Sequence, residues 1–145
     1  MAKEKRNVKI IADSRIDRGA DDKENIIFSA DGTIEDDGEK ITVRYTEPGN
    51  EDTRETKNVL SFLKERREEV TVSRRGGVNS LMMFKKGGRY NWQHDVGFMA
   101  IDICTSTTDL DNEISYNKGG ALGISYVMES NGIEMQKVRL TLTVK

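Results

Sequence analysis

The sequence predicts an all-β fold, a single antiparallel barrel of about eight to ten strands, and three observations carry that expectation. Hydrophobic residues alternate with polar ones at period two along most of the chain, as strands with one buried face require. Asp-Gly, Asn-Gly and Gly-Gly pairs punctuate the alternating runs at short, even spacing, which reads as consecutive hairpins. The chain is 145 residues long, room for one domain over 1–145, with about 70% of its unfolded surface buried and no need of metal or disulfide staples. An open sheet of so many strands would leave unpaired edges, and closing it into a barrel removes them.

Each element follows from its own residues. Val8, Ile10, Ala12, Ser14 and Ile16 share one face of a first strand, with Lys9, Asp13, Arg15 and Asp17 on the other. Ile26 to Glu35 and Lys40 to Thr46 flank Asp36-Asp37-Gly38-Glu39, an Asp-Gly hairpin signal. Glu47 to Glu55 holds the only proline, Pro48, and reads as an exposed loop. Residues 52–69 admit two readings. Asp52 can cap a helix, Glu55 completes a capping-box spacing, and the run of Lys, Glu and Arg from Lys64 favours helix. Val59 to Leu63 reads equally as a strand followed by a charged turn, and strands on both sides favour it.

The second half is plainer. Val70 to Arg75 is a strand leading into Gly76-Gly77, Asn79 to Phe84 is another, and Lys86-Gly87-Gly88 turns the chain into Arg89-Tyr90-Asn91-Trp92. Phe98 to Thr105 follows, with Met99, Ile101 and Ile103 opposite Ala100, Asp102 and Cys104. Leu122, Ile124, Tyr126 and Met128 alternate with Gly123, Ser125, Val127 and Glu129. Asn131-Gly132 supplies a type I′ turn, and Val138 to Val144 completes a long hairpin.

Composition narrows the function classes. Lys and Arg number 23 against 25 Asp and Glu, a net charge of −2, which argues against a basic field over the whole surface. One cysteine, Cys104, excludes an intramolecular disulfide framework and fits a reducing compartment. The chain begins Met-Ala-Lys-Glu-Lys-Arg with no apolar run behind it, so no secretory signal is expected. No stretch approaches the roughly 18 apolar residues of a membrane helix. The expected location is the cytoplasm, with no membrane partner.

The stretch Arg74 to Arg89 carries a resemblance. It is similar to the YwiB-like family of small bacterial proteins, whose pattern here runs Arg-x-Gly-x-Val-Asn-Ser-x-Met-x-Phe-x-x-Gly-x-Arg, and every fixed position is filled. The resemblance continues through Gly97 to Thr105 and into the final hairpin, and is looser upstream. It implies a calycin-like, lipocalin-like barrel and carries over no reaction, since fold alone confers none.

His94 beside Asp95 could act as a general base, yet neighbours in a strand point to opposite faces, so a polar strand-end role is preferred. The sequence offers Cys104 one His and no helix terminus to activate it, so it reads as a packed or half-exposed strand residue. One His and one Cys do not supply a zinc set, so neither metal nor cofactor is expected. The glycine-rich segments lack the following helix of a phosphate loop. From Lys64 to His94 eight Lys or Arg stand against three Glu, with Tyr90 and Trp92 interleaved. Flanking charge at hairpin turns accounts for this run more simply than an anion or nucleic-acid site does. Asn79 reads first as a corner residue bonded to backbone, and the methionines as core filler.

The expected function is therefore non-enzymatic binding of a small amphipathic or anionic ligand by the barrel. Arg74, Asn79 and Arg89 would meet its polar end, and Phe84, Tyr90 and Trp92 its body. The alternative is an RNA- or protein-interaction module using the basic face of residues 64–92, with nucleic acid not favoured. Either would act as a monomer or homodimer.

Overall fold

Ten strands form where the period-two pattern puts them: β1 (Glu4–Asp17), β2 (Lys23–Asp36), β3 (Lys40–Glu47), β4 (Thr56–Leu63), β5 (Glu69–Gly76), β6 (Ser80–Lys85), β7 (Arg89–Asp95), β8 (Ala100–Asn112), β9 (Gly120–Ser130) and β10 (Ile133–Val144). The computed structural model describes residues 3–95 and 98–145, with Asp95 by its backbone alone. Met1, Ala2 and Gly97, on which the N-terminal reading and part of the family resemblance fall, lie outside the described residues. No helix occurs among the described residues, so 52–69 resolves as strand β4 followed by a charged turn.

All pairings are antiparallel, in the order β6-β5-β4-β3-β2-β1-β10-β9-β8-β7. First and last strands pair in continuous register from Ile10↔Val144 to Asp17↔Lys137, which rolls the sheet into a nearly closed barrel. The inward faces of the ladders supply one apolar cluster that includes Ile10, Ile34, Val43, Leu60, Leu122, Ile124 and Leu142. Leu142, opposite Ala12 in the register, is fully buried. The type I′ turn forms as its residues require, with Asn131 at φ 53° and Gly132 at φ 79°.

One strand is longer than its sequence announces. β8 runs on through Ser106 to Asn112, beyond the Phe98–Thr105 reading. A register shift between Thr107 and Asp109 moves the inward phase by one residue, and two of the buried positions are Thr105 and Thr107. A polar run with a phase slip hides its own alternation.

After β8 the chain crosses one end of the barrel and plugs it. Ile114 is fully buried there, and its carbonyl accepts from Nη1 and Nη2 of Arg67, the first at 2.7 Å. The Asn112 amide donates to the Arg67 carbonyl at 3.1 Å, and the Arg67 guanidinium lies 5.2 Å from the centre of the Phe62 ring. Arg6 Nε donates to the Tyr116 carbonyl at 2.6 Å beside them. Part of the predicted basic run is thus spent on holding the plug.

Candidate functional site

The barrel has one seam, between β6 and β7, and its cause lies in the turn that joins them. Gly88 N–H donates to the Lys85 carbonyl at 2.7 Å, so a regular hairpin continuing from this turn would set Phe84 beside Arg89 on one face. Instead Phe84 pairs with Val70 and is buried, while Arg89 pairs with Ser106 and is exposed. The two strands leave the turn out of phase, and no ladder joins them. The turn bonds instead to β8, Gly87 N–H to the Thr107 carbonyl at 2.8 Å and Thr107 N–H to the Gly88 carbonyl at 3.0 Å.

Against this seam lies a groove of about 420 Å³. Phe62, Val70, Phe84 and Tyr90 give it an apolar floor, and Lys40, Arg66, Lys85 and Arg89 stand around it. Lys85 pairs with the lining Glu69 at 3.3 Å. Arg89 reaches Glu129 at 3.8 Å and donates to Cys104 Sγ at 3.3 Å, and the thiol and that carboxylate both hold the guanidinium in its charged form. Lys40 and Arg66 have no ion partner among the described residues. The volume falls in the range of small-molecule sites, and the lining pairs apolar surface with convergent cations.

The six residues singled out by sequence divide into three groups. Phe84, Arg89 and Tyr90 line the groove. Arg74 and Trp92 face the interior further along, away from the plug. Arg74 Nη2 donates to Glu47 Oε1 at 2.9 Å, and Trp92 Nε1 donates to Thr105 Oγ1 at 2.9 Å. Ser80, paired with Arg74 across β5 and β6, has a buried hydroxyl without a partner among the described residues. Nδ1 of His94 is likewise buried and unpartnered, its ring edge-on to Trp92 at 5.9 Å. Asn79 belongs to neither set. It accepts from Gly76 N–H at 3.2 Å and donates to the Gly76 carbonyl at 3.3 Å, tying down the corner.

The glycines of that corner serve packing. A Cβ on Gly76 would stand 2.3 Å from the Glu55 carbonyl oxygen, and its φ is 127°. The groove residues that sequence missed, Lys40 and Phe62, sit on β3 and β4, and only the ladders bring them to β6; Arg66, one of the cations of the predicted basic face, lines the groove from the turn after β4. Burial pushes the hydroxyl of Tyr126 up to about 12, with its ring 4.9 Å from Phe84 behind the seam. Among the described residues no three His, Cys, Asp or Glu side chains gather as a metal set.

A family profile described as "Domain of unknown function (DUF1934)" matches residues 10–142. The crystal structure of the YwiB protein from Bacillus subtilis is similar over 97% of this chain and 92% of its own, with a TM-score of 0.81 and 20% identity. The likeness is one of fold, and it agrees with the resemblance carried by Arg74 to Arg89. No curated protein matches the sequence.

Proposed function

The chain belongs to the DUF1934 family of YwiB-like barrels, and from that premise we propose that it is a non-enzymatic cytoplasmic protein that binds a small amphipathic anion in the seam groove. One observation carries the reading: a groove of about 420 Å³ with an apolar floor, ringed by four cations and one carboxylate, in a chain whose net charge is −2. An anionic head would sit among Arg66, Arg89 and Lys40, with the ligand body on Phe84 and Tyr90. Desolvated apolar contact supplies affinity in such a site, and the cations supply orientation. The interaction-module alternative draws less support. Of its eight cations Arg67 holds the plug, Arg74 pairs with Glu47 inside the barrel, and Lys64 pairs with Asp36 at 2.6 Å.

Native mass spectrometry of the protein purified gently from its own host tests the proposal. A stoichiometric small-molecule adduct is expected, lost in Arg66→Ala/Arg89→Ala and kept in Arg74→Met. A bare mass of 16.4 kDa for the unaltered protein, together with no binding of the aromatic anion anilinonaphthalene sulfonate, would remove the reading.

A further inference from the structure

Strand β2 is laddered on both sides over only part of its length. Its pairing with β1 is unbroken from Glu4↔Asp36 to Asp17↔Lys23, while its pairing with β3 stops at Gly32↔Tyr45. Beyond that point β3 runs only to Glu47, and Lys23 to Ser29 have no paired neighbour on that side among the described residues. Backbone phase shows which groups this leaves free. Lys9 N–H donates to the Lys145 carbonyl at 3.0 Å and Lys145 N–H to the Lys9 carbonyl at 2.9 Å, so odd-numbered residues of β1 turn their backbone groups toward β10 and even-numbered ones toward β2. In the β1–β2 register even residues face even ones, as at Ala12↔Phe28, so Asn25, Ile27 and Ser29 point N–H and C=O away from β1. The other end of the strand agrees. Asp37 N–H donates to the Lys40 carbonyl at 3.2 Å, which puts Glu35 and Thr33 in bonded phase with β3.

This edge lacks the devices that keep an edge single, which are charge, proline and bulges. The run Asn25-Ile26-Ile27-Phe28-Ser29 holds none of them. Ile26 is 41% and Ile27 60% exposed, one on each face of the strand. Phe28, on the Ile26 face, packs on Tyr45 at 6.1 Å, so that face continues the core. Space decides what can pair here. A strand running straight along the edge meets the end of β3 at Thr46 and Glu47. A second β2 laid antiparallel does not, because it starts from a tight turn, closed by Arg18 N–H on the Asp22 carbonyl at 2.9 Å, and its chain folds back onto its own β1. Charge sets the register. Centring the pair on Glu24 would oppose two carboxylates, whereas centring it on Asn25 sets Lys23 against Ile27 and Glu24 against Ile26 of the other copy, with no like charges opposed.

We infer that two copies of this chain pair through this edge, β2 antiparallel to β2 about a two-fold axis, so that one sheet runs on from barrel to barrel. Pairing of like edges closes at two copies, and a dimer results rather than a filament. Each exposed Ile27 is covered by the Lys23 stem of the other copy, whose ammonium stays in water. The surface covered is small, so the dimer is weak, with a Kd on the order of 10–100 μM. The edge shares no residue with the lining of the seam groove.

Sedimentation velocity over a range of about 1 μM to 1 mM tests this, and the mass should rise from 16.4 kDa toward twice that value. Hydrogen exchange read by NMR at about 50 μM and about 1 mM identifies the surface used. The amides of Asn25 and Ile27 should slow about threefold with concentration, whereas those of Ile26 and Phe28, already bonded to β1, should not change. Ile27→Pro deletes an N–H that no ladder of the single copy uses, so it should keep the circular dichroism of the barrel and weaken the dimer about tenfold or more. Ile27→Lys should weaken it similarly through charge. A mass of 16.4 kDa persisting at about 1 mM would overturn the inference, and so would a dimer that forms equally well in both variants. Asn25 and Ile27 amides that are protected in dilute, monomeric protein would also overturn it, because another segment of the same chain would then cover the edge.

Discussion

The barrel closes in two places, and they behave oppositely. β1 and β10 are more than a hundred residues apart in sequence, yet they pair in unbroken register from Ile10↔Val144 to Asp17↔Lys137. β6 and β7 are joined by a turn at Lys86-Gly87, yet they form no ladder. Proximity in sequence therefore does not decide pairing in this protein. Phase does. Val144, Leu142 and Val138 face inward opposite Ile10, Ala12 and Ile16, so pairing and burial agree. Across the turn, pairing would set buried Phe84 beside exposed Arg89, and burial wins. A one-residue slip exchanges every side chain between core and solvent, a penalty that a few ladder hydrogen bonds do not offset.

The largest effect that bears on this contrast is expected at the β1/β10 closure. Leu142→Ala removes a fully buried side chain where two ladders meet, and should cost about 2–5 kcal/mol in urea unfolding. Phe84→Leu at the seam should cost clearly less, because a buried apolar side chain is kept and β6 is laddered only to β5. If the two substitutions cost the same, the closures would not differ in the way the register implies. Next in size is Arg67→Met at the plug, which strands the buried Ile114 carbonyl and should cost about 1–3 kcal/mol.

Much of this was legible in the sequence, and what was not has physical reasons. The hairpins were readable because alternation and turn residues are local, as at Asn131-Gly132. The end of β8 was not, because the shift at Thr107/Asp109 breaks the alternation and buried threonines stand where apolar residues are expected. Ile114 gave one weak signal, a lone apolar residue inside Asn112-Glu113-Ile114-Ser115. The Arg74–Glu47 pair spans 27 positions, and only the β3-β4-β5 register joins it. The sequence reading sets Arg89 at the polar end of a ligand and Phe84 against its body. They do line one groove, but Arg89 reaches it from the outer face, as the parity of β7 dictates.

Hydrogen exchange sharpens the contrast without perturbing it. The β6 amides that do not bond to β5 should exchange on the order of a hundredfold faster than those bonded between β1 and β10, because only the former face an unpaired seam. Equal protection would mean that the seam is sealed in solution by contacts other than a ladder.

The gentlest test leaves the neutral protein untouched and asks whether water enters the seam. Tyr126 packs on Phe84 behind it, whereas Tyr45 lies on β3, laddered on both sides and packed on Phe28 at 6.1 Å. Burial pushes both hydroxyls up to about 12 from an ordinary value of 10.0, and Arg74 opposes the shift in each. A raised folded value means that the stabilising contribution is full below pH 10.0 and is lost as pH rises toward 12, so alkaline unfolding should begin in that window. Ultraviolet titration of the phenolates should show both tyrosines ionising late. In Phe84→Ala, Tyr126 alone should move back toward 10.0, since opening the seam restores water to its ring and leaves Tyr45 covered. A shift of both together would mean general loosening of the barrel, and a shift of neither would mean that the seam admits no water even when its largest side chain is removed.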